Sequence, residues 1–289
     1  KNDEFYTQWV DIEREMNAYL EYDPDVFRDK VILLPCDDPE WSNFTKYFAL
    51  HFTDFGVKKL ISTSYAPDSN PATFSYEPTL FEMNDPRFDE TKTKSNGKKF
   101  VLERQDINDD GIININDVRW TYLVGDGDFR SPEVTALRDE ADIVVTNPPF
   151  SLFREFVSWL VDGGVRFSVI GNMNAVTYNE IFPLIKENRL WYGATISSGD
   201  REFRVPDSYP LAAASSRIDE AGGRYIRVKG VRWFTNIEHG RRHEPLQLMT
   251  RADNLRYNKK LIKALAGATD YQKYDTYDEN VRRYADEIL

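Results

Sequence analysis

The chain of 289 residues has a single cysteine, Cys36, and no long apolar segment. One cysteine cannot form an internal disulfide, which excludes a small disulfide-stabilised secreted domain and fits a reducing compartment. No apolar run approaches the ~18 residues that a membrane-spanning helix requires, and no secretory signal peptide is visible. We therefore expect a cytoplasmic protein that is not attached to a membrane.

Positive charge is also scarce, because 37 Lys+Arg stand against 48 Asp+Glu and the formal net charge is -11. The deficit lies in residues 1–200, which carry 20 basic and 35 acidic residues, whereas residues 201–289 carry 17 and 13. Residues 221–260 are the most basic part, with ten basic and three acidic residues. Phosphate contact needs local positive charge and not a basic whole chain. The C-terminal third can therefore hold a nucleic-acid surface, or simply a solvated basic face.

The most informative segment is a short apolar strand that two prolines end, in residues 142–150. Four apolar or β-branched residues in a row are typical of a buried parallel strand. Neither Pro148 nor Pro149 can donate to a sheet ladder, so the strand ends there. Asn147 is thus predicted at the carboxyl end of a core strand, where open α/β sheets place their ligand sites. An ordinary strand exit is the alternative for the motif taken alone.

The chemistry that suits this turn is methylation of an exocyclic amine, whose lone pair is delocalised into its ring. The side-chain carbonyl of Asn147 and the main-chain carbonyl of Pro148 can each accept one N–H hydrogen. Such contacts draw the amine toward tetrahedral geometry, and the proline pair holds both acceptors still. Phe150 offers a flat apolar face on which an extracted base can stack.

These residues carry a resemblance to a known family. The run Asn147-Pro148-Pro149-Phe150 resembles the catalytic motif of S-adenosylmethionine-dependent DNA adenine N6-methyltransferases. With three further segments, the chain resembles the EcoRI modification methyltransferase family from its first residues to about Tyr277. The three segments are Asp3-Glu4-Phe5-Tyr6-Thr7-Gln8, Cys36-Asp37-Asp38-Pro39 and Gly125-Asp126-Gly127-Asp128-Phe129-Arg130-Ser131.

The resemblance implies a site-specific enzyme that transfers a methyl group from S-adenosylmethionine to a flipped adenine in double-stranded DNA. It implies a monomer in a bacterial or phage-infected host, acting in a restriction-modification system or as an orphan methyltransferase. A cognate restriction endonuclease is a possible partner. Methylation of RNA or of a protein amide is one alternative, because Asn-Pro-Pro loops serve those reactions too. A non-enzymatic acidic DNA mimic is another, suggested by the net charge of -11.

The resemblance also implies a cofactor site. The residues expected there are Phe5, Tyr6, Thr7, Pro35, Cys36, Asp37, Asp38, Asn43, Phe44, Asp128 and Phe129. Asp37 or Asp38 is expected to meet the ammonium group, and Asp128 the cofactor's adenine. The usual glycine-rich loop is absent, and Leu34 and Ser64 stand where related enzymes end their first two strands with acidic residues. On spacing alone, the Cys-Asp-Asp-Pro turn reads as a helix cap.

The basic C-terminal third supplies the expected DNA contacts. Arginine suits bidentate recognition of guanine, and lysine and arginine both suit phosphates. The candidates are Arg224, Arg227, Lys229, Arg232, Arg241 and Arg242. Phe203 is the candidate for a second wall beside the flipped base.

Alternating strand and helix patterns predict an α/β fold, a doubly wound, mostly parallel, seven-stranded Rossmann-like methyltransferase sheet. Residues 1–196 are expected to form the catalytic domain, with an insertion at 66–122 that includes a hairpin reaching toward the DNA. Residues 197–289 are expected to form a DNA target-recognition region that also supplies the last sheet hairpin.

Residues 106–117 match a calcium-loop template, with oxygens from Asp106, Asn108, Asp110 and Asp117. The last of these positions usually holds Glu, and the flanking residues 99–104 and 112–115 are typical of strands and not of the helices that the template requires. A hairpin turn rich in Asn, Asp and Gly explains the same residues. We expect no metal here, with the calcium loop as the alternative.

Overall fold

The computed structural model describes residues 6–35, 37, 42–66, 87–196, 200–205, 209, 211, 216–245, 253, 256 and 257. The chain divides into two compact units, residues 1–243 and 244–289. All elements named below belong to the first unit. Among the described residues, no helix combines the length and the apolar character that crossing a bilayer would take.

The first unit alternates helices and strands. The helices are α1 (Trp9–Tyr22), α2 (Asn43–Leu50), α3 (Glu90–Ser95), α4 (Pro132–Glu140), α5 (Phe153–Asp162) and α6 (Phe182–Lys186). The strands are β1 (Val31–Leu34), β2 (Lys59–Ser64), β3 (Lys98–Glu103), β4 (Arg119–Tyr122), β5 (Ile143–Thr146), β6 (Arg166–Asn172), β7 (Trp191–Tyr192), β8 (Arg201–Val205), β9 (Ser216–Ile218), β10 (Arg224–Val228) and β11 (Val231–Thr235). Short 3-10 helices include Phe150–Leu152, Met173–Thr177 and Gly240–His243.

A large mixed sheet forms the centre, with strand order β4-β3-β2-β1-β5-β6-β11-β7. Strands β2, β1, β5 and β6 are parallel to one another, as predicted for an α/β fold. The described part of the sheet has eight strands, so the prediction of seven was wrong. Residues 98–122, predicted as part of an insertion, belong to this sheet and form β3 and β4, antiparallel to the β2 edge.

The order of strands reverses at β1, because successive strands are added first on one side of it and later on the other. One crossover leads to β2 on one side, whereas β5 and β6 lie on the other side. Leu33 of β1 pairs with Val144 of β5, so the carboxyl ends of these two strands are adjacent. A reversal of this kind opens a crevice at the carboxyl edge, and ligands of α/β proteins bind in such crevices. The residues that follow β1 and β5 therefore lie where a site is expected.

Helices cover both faces of the sheet. Ile32 and Leu34 of β1 pack on the face covered by α1 and α2, together with Met16 and Phe48. The alternate residues of β1, Val31 and Leu33, pack on the opposite face with α4 and α5. Because side chains of a strand alternate between faces, burial on both sides explains why β1 and β5 are continuous apolar runs.

A second, smaller sheet follows the large one, with strand order β8-β10-β9 and antiparallel pairing throughout. The two residues Lys229 and Gly230 connect its strand β10 to β11, which lies between β6 and β7 in the large sheet. Val231 pairs with Asn172 at the end of β6, so the small sheet departs from the carboxyl edge. Tyr6 forms a two-hydrogen-bond bridge to Arg204 of β8 and thereby joins the N-terminal segment to this sheet.

Candidate active site

The turn after β5 begins at Thr146, whose side chain is fully buried. Pro148 is buried, whereas Asn147, Pro149 and Phe150 are half-buried. Phe150 starts the 3-10 helix Phe150–Leu152 and packs against the core on the α1 and α2 face. The four predicted catalytic residues therefore lie in the crevice between β1 and β5, at the carboxyl edge of the sheet.

Asp37 links the ends of the two strands that form this crevice. Its carboxylate accepts a hydrogen bond from the Ser42 hydroxyl (2.7 Å), and its other oxygen lies 2.6 Å from the Thr146 hydroxyl. The Thr146 hydroxyl also lies 2.7 Å from the carbonyl oxygen of Pro35. The Asp37 amide donates to the carbonyl of Thr63 at the end of β2 (2.7 Å). Asp37, which follows β1, thus joins the carboxyl ends of β1, β2 and β5 directly beside Asn147.

From the sequence, Asp37 or Asp38 is expected to meet the cofactor, whereas the bonds of Asp37 to Ser42 and Thr146 are not predicted. Asp37 is only 6% exposed, so these hydroxyls satisfy a buried carboxylate. Hydroxyl residues at a helix start and at a strand end are common, and spacing alone does not reveal that both converge on one carboxylate. Asp37 therefore holds the turn of Asn147 in place in this structure.

A second set of candidate cofactor residues lies where α1 and α2 begin. The side-chain amide of Asn43 donates to the carbonyl of Thr7 (2.7 Å). Thr7 is 3% exposed, and its hydroxyl has no hydrogen-bond partner among the described residues. Buried polar atoms are normally satisfied, so this hydroxyl fits a site that a polar ligand completes. Phe5, Cys36 and Asp38 lie outside the described residues.

Asp128 lies beside the end of β2. Its carboxylate accepts two hydrogen bonds from the Arg130 guanidinium (2.9 and 2.6 Å) and one from the Arg130 amide (2.8 Å). The Arg130 side chain, and to a smaller extent the Tyr65 hydroxyl, hold the pKa of Asp128 below its ordinary value, although desolvation opposes the shift. Asp128 is therefore an ionised acceptor, suited to an amino group of a ligand.

Two predicted cofactor residues have their rings in the core. Phe44 is 2% exposed and meets the Trp233 ring edge-on at 6.0 Å. Phe129 is 3% exposed and packs against the rings of Phe156 (4.9 Å) and Trp159 (5.5 Å). These rings fix the backbone on either side of the crevice, and burial leaves them little surface for direct contact with a ligand.

Comparison with known proteins identifies the family. A family model described as adenine-specific methyltransferase EcoRI matches residues 1–286. The chain belongs to this family. The type II methyltransferase M.EcoRI of Escherichia coli is 41% identical over 287 residues, which cover 99% of this chain and 77% of that relative.

Two mycoplasma relatives extend the comparison. The type II methyltransferase M.MpnI of Mycoplasma pneumoniae is 34% identical, over 96% of this chain and 71% of the relative. The type II methyltransferase M.MgeORF184P of Mycoplasma genitalium is 32% identical, also over 96% of this chain and 71% of the relative. No solved structure gives a significant match.

In this member of the EcoRI methyltransferase family, four of the predicted DNA-binding residues lie on the small sheet or next to it. Arg227 and Lys229 are exposed, and Arg224 and Arg232 are half-buried. The carbonyl of Lys229 accepts from the Asn172 side chain (3.2 Å), which places Lys229 at the carboxyl edge. Arg224 donates to the carbonyl of Tyr209 (2.8 Å), and the guanidinium of Arg232 lies 5.9 Å from the Tyr192 ring centroid.

Arg241 and Arg242 lie at the other edge of the sheet. Strand β11 runs from Val231, beside Asn172, to Thr235, beside Ser168, so its end lies at the amino edge of β6. Arg242 pairs there with Glu238 and Asn188 and lies 3.6 Å from the Trp191 ring centroid. Both arginines therefore lie at the opposite edge of the sheet from the turn of Asn147, and their contacts with DNA stay a prediction. Sequence distance alone did not reveal that β11 crosses the sheet from its carboxyl edge to its amino edge between Lys229 and Arg241.

Phe203 does not line the crevice as an exposed ring. It is 1% exposed and belongs to the core on the α1 and α2 face. As placed, it cannot form a wall beside a flipped base without leaving the core. The alternation of β8 explains the difference, because Phe203 and Val205 face inward while Arg204 faces solvent.

The candidate calcium loop connects the antiparallel strands β3 and β4, and no helix pair flanks it. The Asp106 carboxylate accepts from the amides of Asp110 (3.3 Å) and Gly111 (2.7 Å). Asp117 accepts from the amides of Ile107 (2.7 Å) and Asn114 (2.9 Å). Residues 112–115, predicted as a strand, instead lead into a 3-10 helix, Ile115–Asp117, that Asn114 caps. Among the described residues, no His, Cys, Asp and Glu cluster that suits a metal is present.

A cavity of about 730 Å³ lies elsewhere, at the β7 edge of the large sheet. Its lining includes Val176, Phe182, Trp191 and Phe234. None of the residues that line it is a predicted site residue. The crevice between β1 and β5, and not this cavity, gathers the residues that the sequence singled out.

Proposed function

We propose that this protein is a site-specific DNA adenine N6-methyltransferase that uses S-adenosylmethionine and acts on a flipped adenine in duplex DNA. The observation that carries the proposal is the turn of Asn147 and Pro148 at the crevice between β1 and β5, in a chain whose family model covers residues 1–286. The relatives are type II methyltransferases, which supports a restriction-modification setting. A partner endonuclease and a monomeric enzyme complete the proposal.

The turn orients the amine. The side-chain carbonyl of Asn147 and the main-chain carbonyl of Pro148 accept its two hydrogens, and the lone pair then points away from the base plane. S-adenosylmethionine supplies an electrophilic methyl group, so alignment matters more than a strong base. Asp37 keeps the acceptors in register through its contact with Thr146 (2.6 Å). The amine proton leaves to water after transfer.

The adenine must leave the duplex to reach this turn, at a cost of a few kcal/mol. Phe150, which is half-buried, offers the ring on which the extracted base stacks. Phe203 lies in the core, so the opposite wall of the base pocket falls to another residue of the C-terminal region. Residues 197–289 supply target recognition, with Arg224, Arg227, Lys229 and Arg232 on the side of the crevice.

The cofactor lies on the β1 side of the same crevice. Thr7 and Asn43 hold its methionine end, together with Phe5, Tyr6, Pro35, Cys36 and Asp38, while the backbone positions of Phe44 and Phe129 shape the site. The buried Thr7 hydroxyl, for which no described residue supplies a hydrogen-bond partner, supports this arrangement. Asp128 accepts from the amino group of the cofactor's adenine. Asp37, a nearly buried carboxylate between the ends of β1 and β5, is the residue that we propose for the ammonium group.

A tritium-transfer assay tests the proposal. Purified protein is incubated with labelled S-adenosylmethionine and, separately, with duplex DNA, structured RNA and a mixture of denatured proteins. We expect label in DNA only, recovered as N6-methyldeoxyadenosine after digestion to nucleosides. Label in RNA or protein alone would refute the DNA substrate. Absence of transfer, together with no heat of cofactor binding in calorimetry, would favour a non-enzymatic role.

A further inference from the structure

The small sheet has one face that carries several arginines, which we call the outer basic face. It is defined by Arg204 of β8, Arg217 of β9, and Tyr225 and Arg227 of β10. Tyr225 pairs with Arg204 on one side and with Arg217 on the other, and Arg227 pairs with Glu202. Residues paired across antiparallel strands project from the same face of a sheet, so these side chains form one surface.

The opposite face of the small sheet is buried. Phe203 and Val205 are each 1% exposed, and Val228 packs against the same core. Arg201, on this inner side, pairs with Asp11 of α1 (3.2 Å). Arg204, Arg217 and Arg227, in contrast, are all exposed. Because side chains alternate between the two faces of the sheet, these three arginines reach solvent on the same side. Only Arg227 is among the DNA contacts predicted from the sequence.

The contacts within the outer basic face leave its arginines available. Arg217 donates two hydrogen bonds to Glu202 (2.9 and 2.5 Å) and lies 4.3 Å from the Tyr225 ring centroid. The side chain of Arg217 is still 52% exposed and that of Glu202 is 35% exposed. Exposed ion pairs add little to stability, so an incoming anion can replace Glu202 without disturbing the fold. Asp219, which bonds the Tyr225 side chain, is a second acidic neighbour, and three arginines against these two carboxylates still leave the face positive.

The position of the small sheet fits a substrate that also reaches Asn147. Met173, next to the end of β6, donates its amide to the carbonyl of Gly230 (2.5 Å), so the turn from β10 to β11 lies at the carboxyl edge. Strand β8 is bridged to Tyr6, one residue before Thr7. The outer basic face is therefore attached to both the catalytic edge and the N-terminal part of the cofactor site.

We propose that the outer basic face binds the phosphate backbone of duplex DNA through Arg204, Arg217 and Arg227. The inference rests on the proposed function for the choice of DNA. Guanidinium groups suit phosphates because each offers several donors in a fixed plane. The acidic residues 1–200 repel a polyanion, so a positive surface next to the catalytic edge would determine where the duplex lies.

The test is the salt dependence of binding to a duplex of arbitrary sequence, measured by fluorescence anisotropy on the full chain. The variants are Arg204→Gln, Arg217→Gln and Arg227→Gln. The slope of log K against log salt should become shallower by about 0.9 for each arginine removed, because a phosphate that is no longer contacted keeps its condensed counterion. Arg189→Gln is the matched control, since Arg189 forms an exposed ion pair with Glu187 (3.3 Å) far from this sheet.

A further variant, Glu202→Gln, should change the affinity and the salt slope in the opposite direction. Glu202→Gln removes the carboxylate that competes for Arg217, so affinity for the duplex should rise and the slope should steepen. An unfolded or distorted small sheet would weaken binding in this variant too, and therefore cannot produce the expected result.

The outcomes separate this surface from the proposed activity. If all three arginine variants keep the wild-type slope and the protein methylates DNA, the proposal that the outer basic face binds DNA is wrong and the proposed function stands. Shallower slopes with duplex RNA but not with duplex DNA would overturn the choice of DNA. Shallower slopes with DNA, in a protein that transfers no methyl group to it, would leave the surface and refute the enzyme.

Discussion

At the scale of residues, the site depends on one hydroxyl. Thr146 is fully buried, and its hydroxyl lies within hydrogen-bond distance of both Asp37 and Pro35. The next residue in the chain is Asn147. The Thr146 side chain, which joins the end of β5 to the residues after β1, therefore controls the position of the proposed acceptors of the amine hydrogens, Asn147 and Pro148.

Replacement of Thr146 tests this role. Thr146→Val keeps the shape but leaves the buried Asp37 with one donor fewer, which should lower the free energy of unfolding by about 1–3 kcal/mol. The turnover rate should fall while the dissociation constant for DNA stays unchanged. Thr146→Ser, which retains the hydroxyl, should restore most of the rate. Denaturant unfolding and single-turnover methylation measure the two effects, and equal rates for the valine and serine variants would contradict the assignment.

The two phenylalanines considered for the target base make a second residue-scale test. Phe203→Ala should destabilise the protein by about 3–5 kcal/mol, as expected for a large core truncation, because Phe203 is 1% exposed. Phe150→Ala should cost less stability, since Phe150 is half-buried, and should lower methylation more strongly. Thermal unfolding and methylation rates of both variants check this. A stable Phe203→Ala variant with selective loss of activity would instead support a base-stacking role for Phe203.

At the scale of elements, the segment from Gly125 to Asp128 depends on close backbone packing. Gly127 has a φ of +90°, and a Cβ there would meet the carbonyl oxygen of Ser64 at the end of β2. The amide of Ala66 donates to the carbonyl of Asp126 (2.7 Å), which holds the same contact. The close approach at Gly127 thus brings the neighbouring residue Asp128 to the end of β2.

Gly127→Ala and Gly125→Ala form a matched pair. Gly127→Ala should destabilise the segment by at least about 1–2 kcal/mol, because an L-residue is strained at positive φ, and should weaken cofactor binding by moving Asp128. A Cβ at Gly125 meets open space, so Gly125→Ala should bind S-adenosylmethionine like the wild type. Calorimetry measures both affinities. Equal affinities in the two variants would show that this segment does not serve the cofactor.

The position of a strand in the chain could be predicted from the sequence, but the strands and side chains that it contacts in space could not. The apolar run of β5 lies where the pattern placed it, because strands buried on both faces have few polar residues. The antiparallel additions β3 and β4 were assigned to an insertion, since pairing partners are not encoded in local periodicity. The contact of Asp37 with Thr146 joins residues 109 positions apart, and no short motif reports such a contact.

At the scale of the whole molecule, a reversal in strand order brings the proposed chemistry together. The carboxyl ends of β1 and β5 form the crevice, the turn of Asn147 lies on one side, and the small sheet departs from the same edge. The residues after β11 reach the amino edge instead, which separates Arg241 and Arg242 from the site. Charge is divided too, because residues 1–200 carry the excess of acidic residues, whereas exposed arginines lie on the small sheet.

The most direct test of the central claim is the rate of methyl transfer by Asn147→Ala in a single turnover, with cofactor and duplex DNA both saturating. Nucleoside mass spectrometry follows the formation of N6-methyldeoxyadenosine. We expect a loss of about a hundredfold or more, as is usual when one group that stabilises a transition state is removed. Affinities for S-adenosylmethionine and DNA should stay within a factor of about two of the wild type, well below one tenfold step. A variant that methylates adenine at the wild-type rate would contradict the account.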